Sequence, residues 1–338
     1  MKAARFIGEK TIEIKEEPTP NLNPKDILVK VQASGICGTD LHIYEGKVRG
    51  LVKPGTVLGH EFSGTVEAIG AEVTSHQVGD RVAIEPNLFC GVCHFCRNAK
   101  KHFCENWTAI GLSQDGGFAE YCAVPASAAY ILPKDLDFRT AAFFEPMGCV
   151  LHGIERGRVV AGETVVVQGV GAIGQLFVQV LNNLGVANII VSDIGEKKLL
   201  LAKKFGANRI VNAKTENLVK IVKEETNGYG AHVMIDAAGL LNTIPTAFEI
   251  LENTGRLVVF GVPPEGKTIE IRPFDIYRRE IDIVGSFTNP YTNEAALEML
   301  RKVNVDSLIT NAIKLDDLIE KGLKMVGKLE VLKVQIQF

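Results

Sequence analysis

A chain of 338 residues exceeds the roughly 250–300 at which a single core stops growing, so two domains are expected. Hydrophobic residues at 46% and charged residues at 23% exclude a disordered or fibrous protein. With 37 basic against 40 acidic residues and a net charge of −3, there is no electrostatic footprint for nucleic acid or an anionic membrane, which leaves a small molecule as the expected partner.

The chain opens Met1-Lys2-Ala3-Ala4-Arg5, without the apolar stretch of a signal peptide, and no run of about 18 apolar residues follows that would span a bilayer; a cytoplasmic protein is expected. From Met1 to about Ala142, short alternating runs such as Asp26–Val31 are broken by glycine, proline and aspartate and predict a strand-rich domain. Cys37 stands here in Gly35-Ile36-Cys37-Gly38-Thr39-Asp40-Leu41-His42, followed by Gly59-His60-Glu61 and later by Glu145-Pro146. Taken singly, these read as a buried thiol, a satisfied histidine and solvent-facing carboxylates.

Cys90-x2-Cys93-x2-Cys96-x7-Cys104 is louder. Seven cysteines is an odd number, and four of them within fifteen positions suit metal ligation in a reducing compartment better than disulfides. The spacing lets short turns wrap a tetrahedral zinc, and four protein ligands leave no open position, so such a site is structural. An iron–sulfur cluster is the alternative occupant. His94 and His102 lie within the lobe and are read as surface or packing residues, because the four sulfurs already close the site.

Between Glu163 and Ile283 six apolar runs alternate with helical patterns: Thr164–Val167, Asn188–Val191, Ile210–Val211, Val233–Ile235, Leu257–Phe260 and Ile281–Val284. They predict a parallel, doubly wound α/β sheet. Gly169-Val170-Gly171-Ala172-Ile173-Gly174 follows the first run and opens a helical pattern reaching about Asn183, which is the context the G-x-G-x-x-G fingerprint requires. Its glycines serve a tight turn, close approach to a pyrophosphate and helix–strand packing, with the phosphates at a helix N-terminus. Nineteen residues after Gly174, Asp193 is placed to bond the adenosine ribose, where a 2′-phosphate would meet like charge; NAD is therefore expected over NADP. Lys198 is either a ribose contact or helix surface. The charged stretch Asn212–Asn227 reads as a solvated helix face, and beyond Gly285 a helix near Glu294–Lys302 precedes an alternating segment, Glu330–Gln337, that can rejoin the first domain.

A dinucleotide fold changes the weight of the dispersed residues, because hydride chemistry needs a Lewis acid or base at the substrate oxygen. C-G-T-D-x-H at Cys37–His42, G-H-E at Gly59–Glu61, V-G-D-R-V at Val78–Val82, the cysteine lobe and the glycine fingerprint together resemble the zinc-containing medium-chain alcohol dehydrogenases, over nearly the whole chain. That resemblance implies a GroES-like β-barrel catalytic domain over 1–145 with its zinc lobe at 88–105, a Rossmann NAD-binding domain over 146–284, and a return segment, 285–338, completing the first domain. It implies two zinc ions per subunit: a structural one on the quartet and a catalytic one on Cys37 and His60. Glu61 becomes a second-shell or exchanging carboxylate. Glu145 stands where the plain pattern has cysteine, and binds directly or through water as in the sorbitol and threonine dehydrogenases; Cys149 is a weaker candidate. Thr39 matches the hydroxyl that takes the alcohol proton and His42 the imidazole that passes it on. Val262 in Gly261-Val262-Pro263, with Ser286 and Thr288, falls around the nicotinamide. Relatives are commonly homodimers or homotetramers.

For the substrate, Val57–Gly64 and Glu85-Pro86-Asn87 look most like polyol dehydrogenases of the sorbitol, arabitol or galactitol kind, giving oxidation of a secondary alcohol to a ketose. Phe287-Thr288-Asn289-Pro290 lacks the arginine and tyrosine of sorbitol dehydrogenase itself. L-threonine 3-dehydrogenase, close over Cys37–Tyr44, and a 2,3-butanediol type are the enzymatic alternatives. A non-catalytic zinc- and NAD-binding regulator is the alternative of another class, and it would be signalled by loss of Cys37, His60 or Thr39, all of which are present.

Overall fold

Runs of β-branched and apolar residues in the first part of the chain form β1 (Lys2–Gly8), β2 (Thr11–Glu16), β3 (Asp26–Ile36), β4 (Glu61–Ile69), β5 (Arg81–Ile84), β6 (Asn87–Leu88), β7 (Thr108–Ala109), β8 (Tyr121–Pro125) and β9 (Ala129–Ile131). The middle contributes β10 (Thr164–Gln168), β11 (Asn188–Asp193), β12 (Arg209–Asn212), β13 (Ala231–Asp236), β14 (Leu251–Val259) and β15 (Asp282–Gly285). Two strands follow, β16 (Ile309–Ile313) and β17 (Lys333–Gln337). The helices are α1 (Gly38–Tyr44), α2 (His94–Arg97), α3 (Phe138–Ala141), α4 (Phe144–Gly157), α5 (Ala172–Asn183), α6 (Glu196–Lys204), α7 (Leu218–Glu225), α8 (Ala247–Ile250), α9 (Pro273–Arg279) and α10 (Asn293–Leu300). This computed structural model describes residues 1–48 and 50–338, which divide into two units, Met1–Gly148 with Asn289–Phe338, and Cys149–Thr288.

In the first unit a seven-stranded sheet runs β16-β17-β3-β4-β5-β9, with β8 also paired to β3. The long strand β3 is the spine. It pairs antiparallel with β4 on one edge, and on the other with β8 through Asp26–Lys30 and with β17 through Ala33–Ile36. Side chains from both of its faces enter packed material, Ile27, Val29 and Val31 one core and Ile36 another, which is why the strand is buried almost throughout instead of alternating. Ile27, Val29, Val31, Phe62, Val66, Val82 and Ile84 fill one core, while Ile36, Leu58, Phe118, Leu318, Val334 and Ile336 belong to a second. The sheet is thus completed by a strand almost three hundred residues downstream of its spine.

The second unit is a parallel six-stranded sheet ordered β12-β11-β10-β13-β14-β15. All six predicted runs are strands, in the doubly wound order that reverses at β10. Val165, Val166 and Val167 are fully buried, as expected of a strand covered on both faces. Two elements differ in extent from expectation. Only Leu218–Glu225 of the charged stretch is helical, started by Asn217, whose side chain accepts from Lys220 N at 3.0 Å. β14 begins at Leu251, well before its apolar run, because an irregularity between Ala231 and Val233 lets the extra residues pair with β13. No helix among the described residues is long and apolar enough to cross a membrane.

Candidate active site

Strand pairing brings the dispersed residues of the first unit together. Cys37 follows β3 directly and caps α1, its backbone N–H donating to Asp40 Oδ2 at 2.8 Å. His60 precedes β4 and Glu61 opens it, with Glu61 opposite Gly35 in the antiparallel register. One ligand atom each of Cys37, His60 and Glu61 lies within 4.8 Å of the others. A zinc ion with bonds of about 2.0–2.3 Å to nitrogen, oxygen and sulfur needs donors about that close, so this N, O, S set, with His60 and Glu61 buried and Cys37 half-buried, fits the metal. Gly35 makes room for it, since a Cβ there would stand 2.3 Å from Glu61 Oε2.

Two buried charged groups flank these three. Asp40 is fully buried and its Oδ1 lies 3.4 Å from His60 Nδ1. Burial alone would lower the imidazole pKa, but the Asp40 charge 3.4 Å away outweighs it and holds the ring well above its ordinary value. Lys333, on β17, forms an ion pair with Glu61 Oε2, and its Nζ donates to Ile36 O at 3.3 Å. Burial disfavours this ammonium, yet the negative charges of Glu61, Cys37 and Glu145 outweigh that and keep its pKa above the usual lysine value. Glu145, in the first turn of α4, is thereby within electrostatic reach, although it stands outside the group of three ligand atoms. Thr39 Oγ1 is 3.7 Å from Cys37 Sγ, and His42 sits half-buried in the last turn of α1. Sequence reasoning assigned nothing to Asp40 or Lys333. The signal for Asp40 was available, a carboxylate three residues past a helix-capping position.

The four cysteines of the lobe also converge, with their sulfurs within 4.8 Å of one another. Cys90 N–H approaches Cys104 Sγ at 3.3 Å and Cys93 N–H approaches Cys90 Sγ at 3.4 Å. Backbone N–H groups, those of Val92 and Cys93, pull the Cys90 thiol down to about 6, while desolvation pushes Cys96 up to about 12. Four sulfurs with amide donors already aimed at them fit a closed tetrahedral metal site. Trp107 ties the lobe to the sheet: its Nε1 donates to Asn87 Oδ1 at 3.0 Å, and Asn87 Nδ2 donates to Glu85 Oε1 and to Asn289 Oδ1, each at 2.8 Å.

In the second unit the predicted cofactor residues gather at the carboxyl ends of the parallel strands. Gly169 has φ +90° after β10, Gly171 caps α5 with open space around it, and a Cβ on Gly174 would fall 2.0 Å from Gly169 O. Ile173 lies half-buried in the first turn of α5. Asp193 ends β11, with Oδ2 accepting from Val170 N and Oδ1 from Gly195 N, both at 2.8 Å. Lys198 is half-buried on α6, its carbonyl accepting from Gln175 Nε2. Val262 is exposed beyond β14, while Ser286 and Thr288 follow β15, Thr288 with φ +55°.

Comparison with known proteins gives consistent findings. Residues 23–134 match the alcohol dehydrogenase GroES-like domain and residues 172–305 the zinc-binding dehydrogenase domain. An L-threonine 3-dehydrogenase of Caldanaerobacter subterraneus is 35% identical, covering 94% of this chain and 92% of its own. Sorbitol dehydrogenase of Bacillus subtilis is 33% identical over 99% of this chain and 97% of its own. Among solved structures, a zinc-binding dehydrogenase from Sinorhizobium meliloti bound to NADP aligns with a TM-score of 0.95 at 34% identity, covering 100% and 99% of the two chains. The 2R,3R-butanediol dehydrogenase of Bacillus subtilis aligns at 0.92 and 30%, with the same coverage.

Proposed function

This chain belongs to the zinc-binding dehydrogenases of the alcohol dehydrogenase family, oxidoreductases built from a GroES-like and a Rossmann domain, and from that membership we propose that it oxidises a secondary alcohol of a polyol to a ketose, with NAD as hydride acceptor. The observation that carries the reading is the convergence of half-buried Cys37 with buried His60 and Glu61. A zinc ion held there supplies Lewis acidity at the substrate hydroxyl. Asp40 turns His60 so that Nδ1 faces its carboxylate and Nε2 is the ligand atom. Thr39 takes the alcohol proton and His42 passes it to solvent. Glu145 offers a further carboxylate from α4, and Val262, Ser286 and Thr288 receive the nicotinamide at the sheet edge.

An uncharged, hydroxyl-rich substrate is favoured because Lys333, the buried ammonium beside Glu61, is committed to that carboxylate and not offered to a substrate anion. L-threonine is the second reading, favoured by the 35% identity to the Caldanaerobacter enzyme. NAD over NADP rests on the Asp193 carboxylate. Thiolates of the quartet hold metal only while reduced, which goes with a cytoplasmic setting. A homodimer or homotetramer is supported by the free edge of β15, where Ile283 is 43% exposed, and by Phe274 and Tyr277 on α9, 68% and 79% exposed. The test is NADH formation by zinc-replete protein across polyols, threonine and butanediols. Turnover on a polyol that Cys37→Ala abolishes is expected; turnover on threonine alone moves the substrate to the second reading, and none on any alcohol leaves the regulator.

A further inference from the structure

Gln175, on the first turn of α5, is fully buried. Its Nε2 donates to Val170 O at 3.1 Å and to Lys198 O at 2.8 Å, which uses both hydrogens of the amide. Its Oε1 is buried without a donor among the described residues, so the two carbonyls alone fix which way the carboxamide faces. On a helix whose Leu176, Phe177 and Val178 are fully buried, an apolar side chain of that size would cost less than a glutamine with an orphan oxygen. Packing therefore does not account for the residue, and what it holds does.

It holds one peptide. Val170 N donates to Asp193 Oδ2 at 2.8 Å, Val170 O accepts from Gln175, and the Val170 side chain is fully buried, so the residue between the first two glycines is pinned at three points. In a trans peptide the carbonyl and the following N–H point in opposite directions. Drawing Val170 O inwards onto Gln175 therefore sends Gly171 N–H outwards. Gly171 is where the loop is open, since a Cβ there would meet nothing within 4 Å. The same glycine that lets a ligand approach the backbone also leaves the Val170–Gly171 peptide free to rotate, so a group other than Gly171 has to hold it. The second contact, with Lys198 O, keeps the carboxamide from turning away.

Resting on the dinucleotide reading above, we propose that Gln175 is a positioning residue for the cofactor diphosphate: its carboxamide locks the Val170–Gly171 peptide and so sets where the N–H groups of Gly171, Ala172 and Ile173, which have no partner within the helix, stand to receive phosphate oxygens. Without the lock the peptide turns and presents its carbonyl oxygen, the wrong partial charge for an anion.

The experiment uses the full-length protein and follows displacement of NADH, by its fluorescence, with ADP-ribose, ADP and adenosine. Gln175→Met, which keeps length and burial, is expected to weaken ADP-ribose and ADP about tenfold, the loss of one hydrogen bond to a charged group, and to leave adenosine within about twofold. In turnover the KM for NAD should rise by a similar factor, with a much smaller change in kcat. A glutamine that only steadied the helix would lower the melting temperature and move all three ligands together, and that result overturns the proposal. Gln175→Glu gives a second reading if Gln175→Met does not fold. A carboxyl brings at most one hydrogen to two carbonyls, so a loss of at least about threefold should remain for the diphosphate ligands and not for adenosine. Unchanged ADP-ribose affinity in either folded variant overturns the proposal and leaves NADH binding and the dehydrogenase reading intact. A wild-type protein that binds neither NADH nor ADP-ribose ends both.

Discussion

Asp193→Asn separates two jobs done by one carboxylate. Both oxygens of Asp193 are already used, Oδ2 by Val170 N in the glycine loop and Oδ1 by Gly195 N, each at 2.8 Å. The negative charge is what should discriminate the cofactors. A unit charge about 4 Å from a 2′-phosphate charge costs about 4 kcal/mol at an effective dielectric near 20. Half-exposure and salt reduce that to about 1.5–3 kcal/mol, or roughly 10- to 150-fold in favour of NADH. Asparagine keeps one acceptor and turns its amide N–H2 towards the other backbone donor, which should cost about 1–2 kcal/mol in loop stability and in binding either cofactor. The measurement is the ratio of NADPH to NADH dissociation constants, by cofactor fluorescence at low and high salt. The variant should bring the ratio down by about tenfold or more, with a smaller change at high salt. If the melting temperature falls while the ratio stays put, Asp193 only pins the loop and the charge argument is wrong.

Two further outcomes are expected. Burial, then the neighbouring Arg156, depress His152 from 6.5 to about 4, so the native ring stays neutral where the unfolded one takes up a proton. Stability present above about pH 6.5 is therefore lost as pH falls towards 4; at about 1.4 kcal/mol per pH unit the bound is about 3 kcal/mol, reduced to about 1–2 by partial solvation. Thermal melts should show His152→Gln losing less stability than wild type between pH 7 and 4.5, and parallel curves would remove His152 as the cause. Trp107 is the single tryptophan, and its backbone N–H donates to Cys104 O at 3.1 Å. Stripping the lobe metal should red-shift its emission and lower its anisotropy, and an emission spectrum indifferent to chelator would mean that the lobe keeps its shape without metal.

How much of this was legible in the sequence followed from the range of the interactions. The six strands of the second unit were readable because parallel strands covered on both faces carry unbroken apolar runs, as Val165–Val167 does. The quartet and the glycine loop were readable because each closes over a few residues of local chain. The candidate metal ligands of the first unit came by resemblance and not by spacing, since Cys37, His60 and Glu61 meet only through the pairing of β3 with β4. Lys333 escaped altogether. It occupies a polar position in an alternating segment, a pattern that ordinarily marks a solvent face, and only the chain around Arg139 and Phe143, packed over Gln335 and Lys333, makes that face an interior one.

The lateness of β17 bears on how the protein is made. Lys333 meets Ile36 across 297 positions of chain, so the ribosome finishes the whole nucleotide-binding unit before it delivers the strand that closes the first sheet. Until then the Ala33–Ile36 edge of β3 is an unpaired template beside an apolar face, the kind of surface that nascent chains lose to aggregation. Chaperone cover during that interval, and recovery of soluble protein from variants shortened before Lys333, become matters of the same few backbone hydrogen bonds. The buried group around Cys37, His60 and Glu61 likewise gains its Lys333 counter-charge only after the whole nucleotide-binding unit has been made.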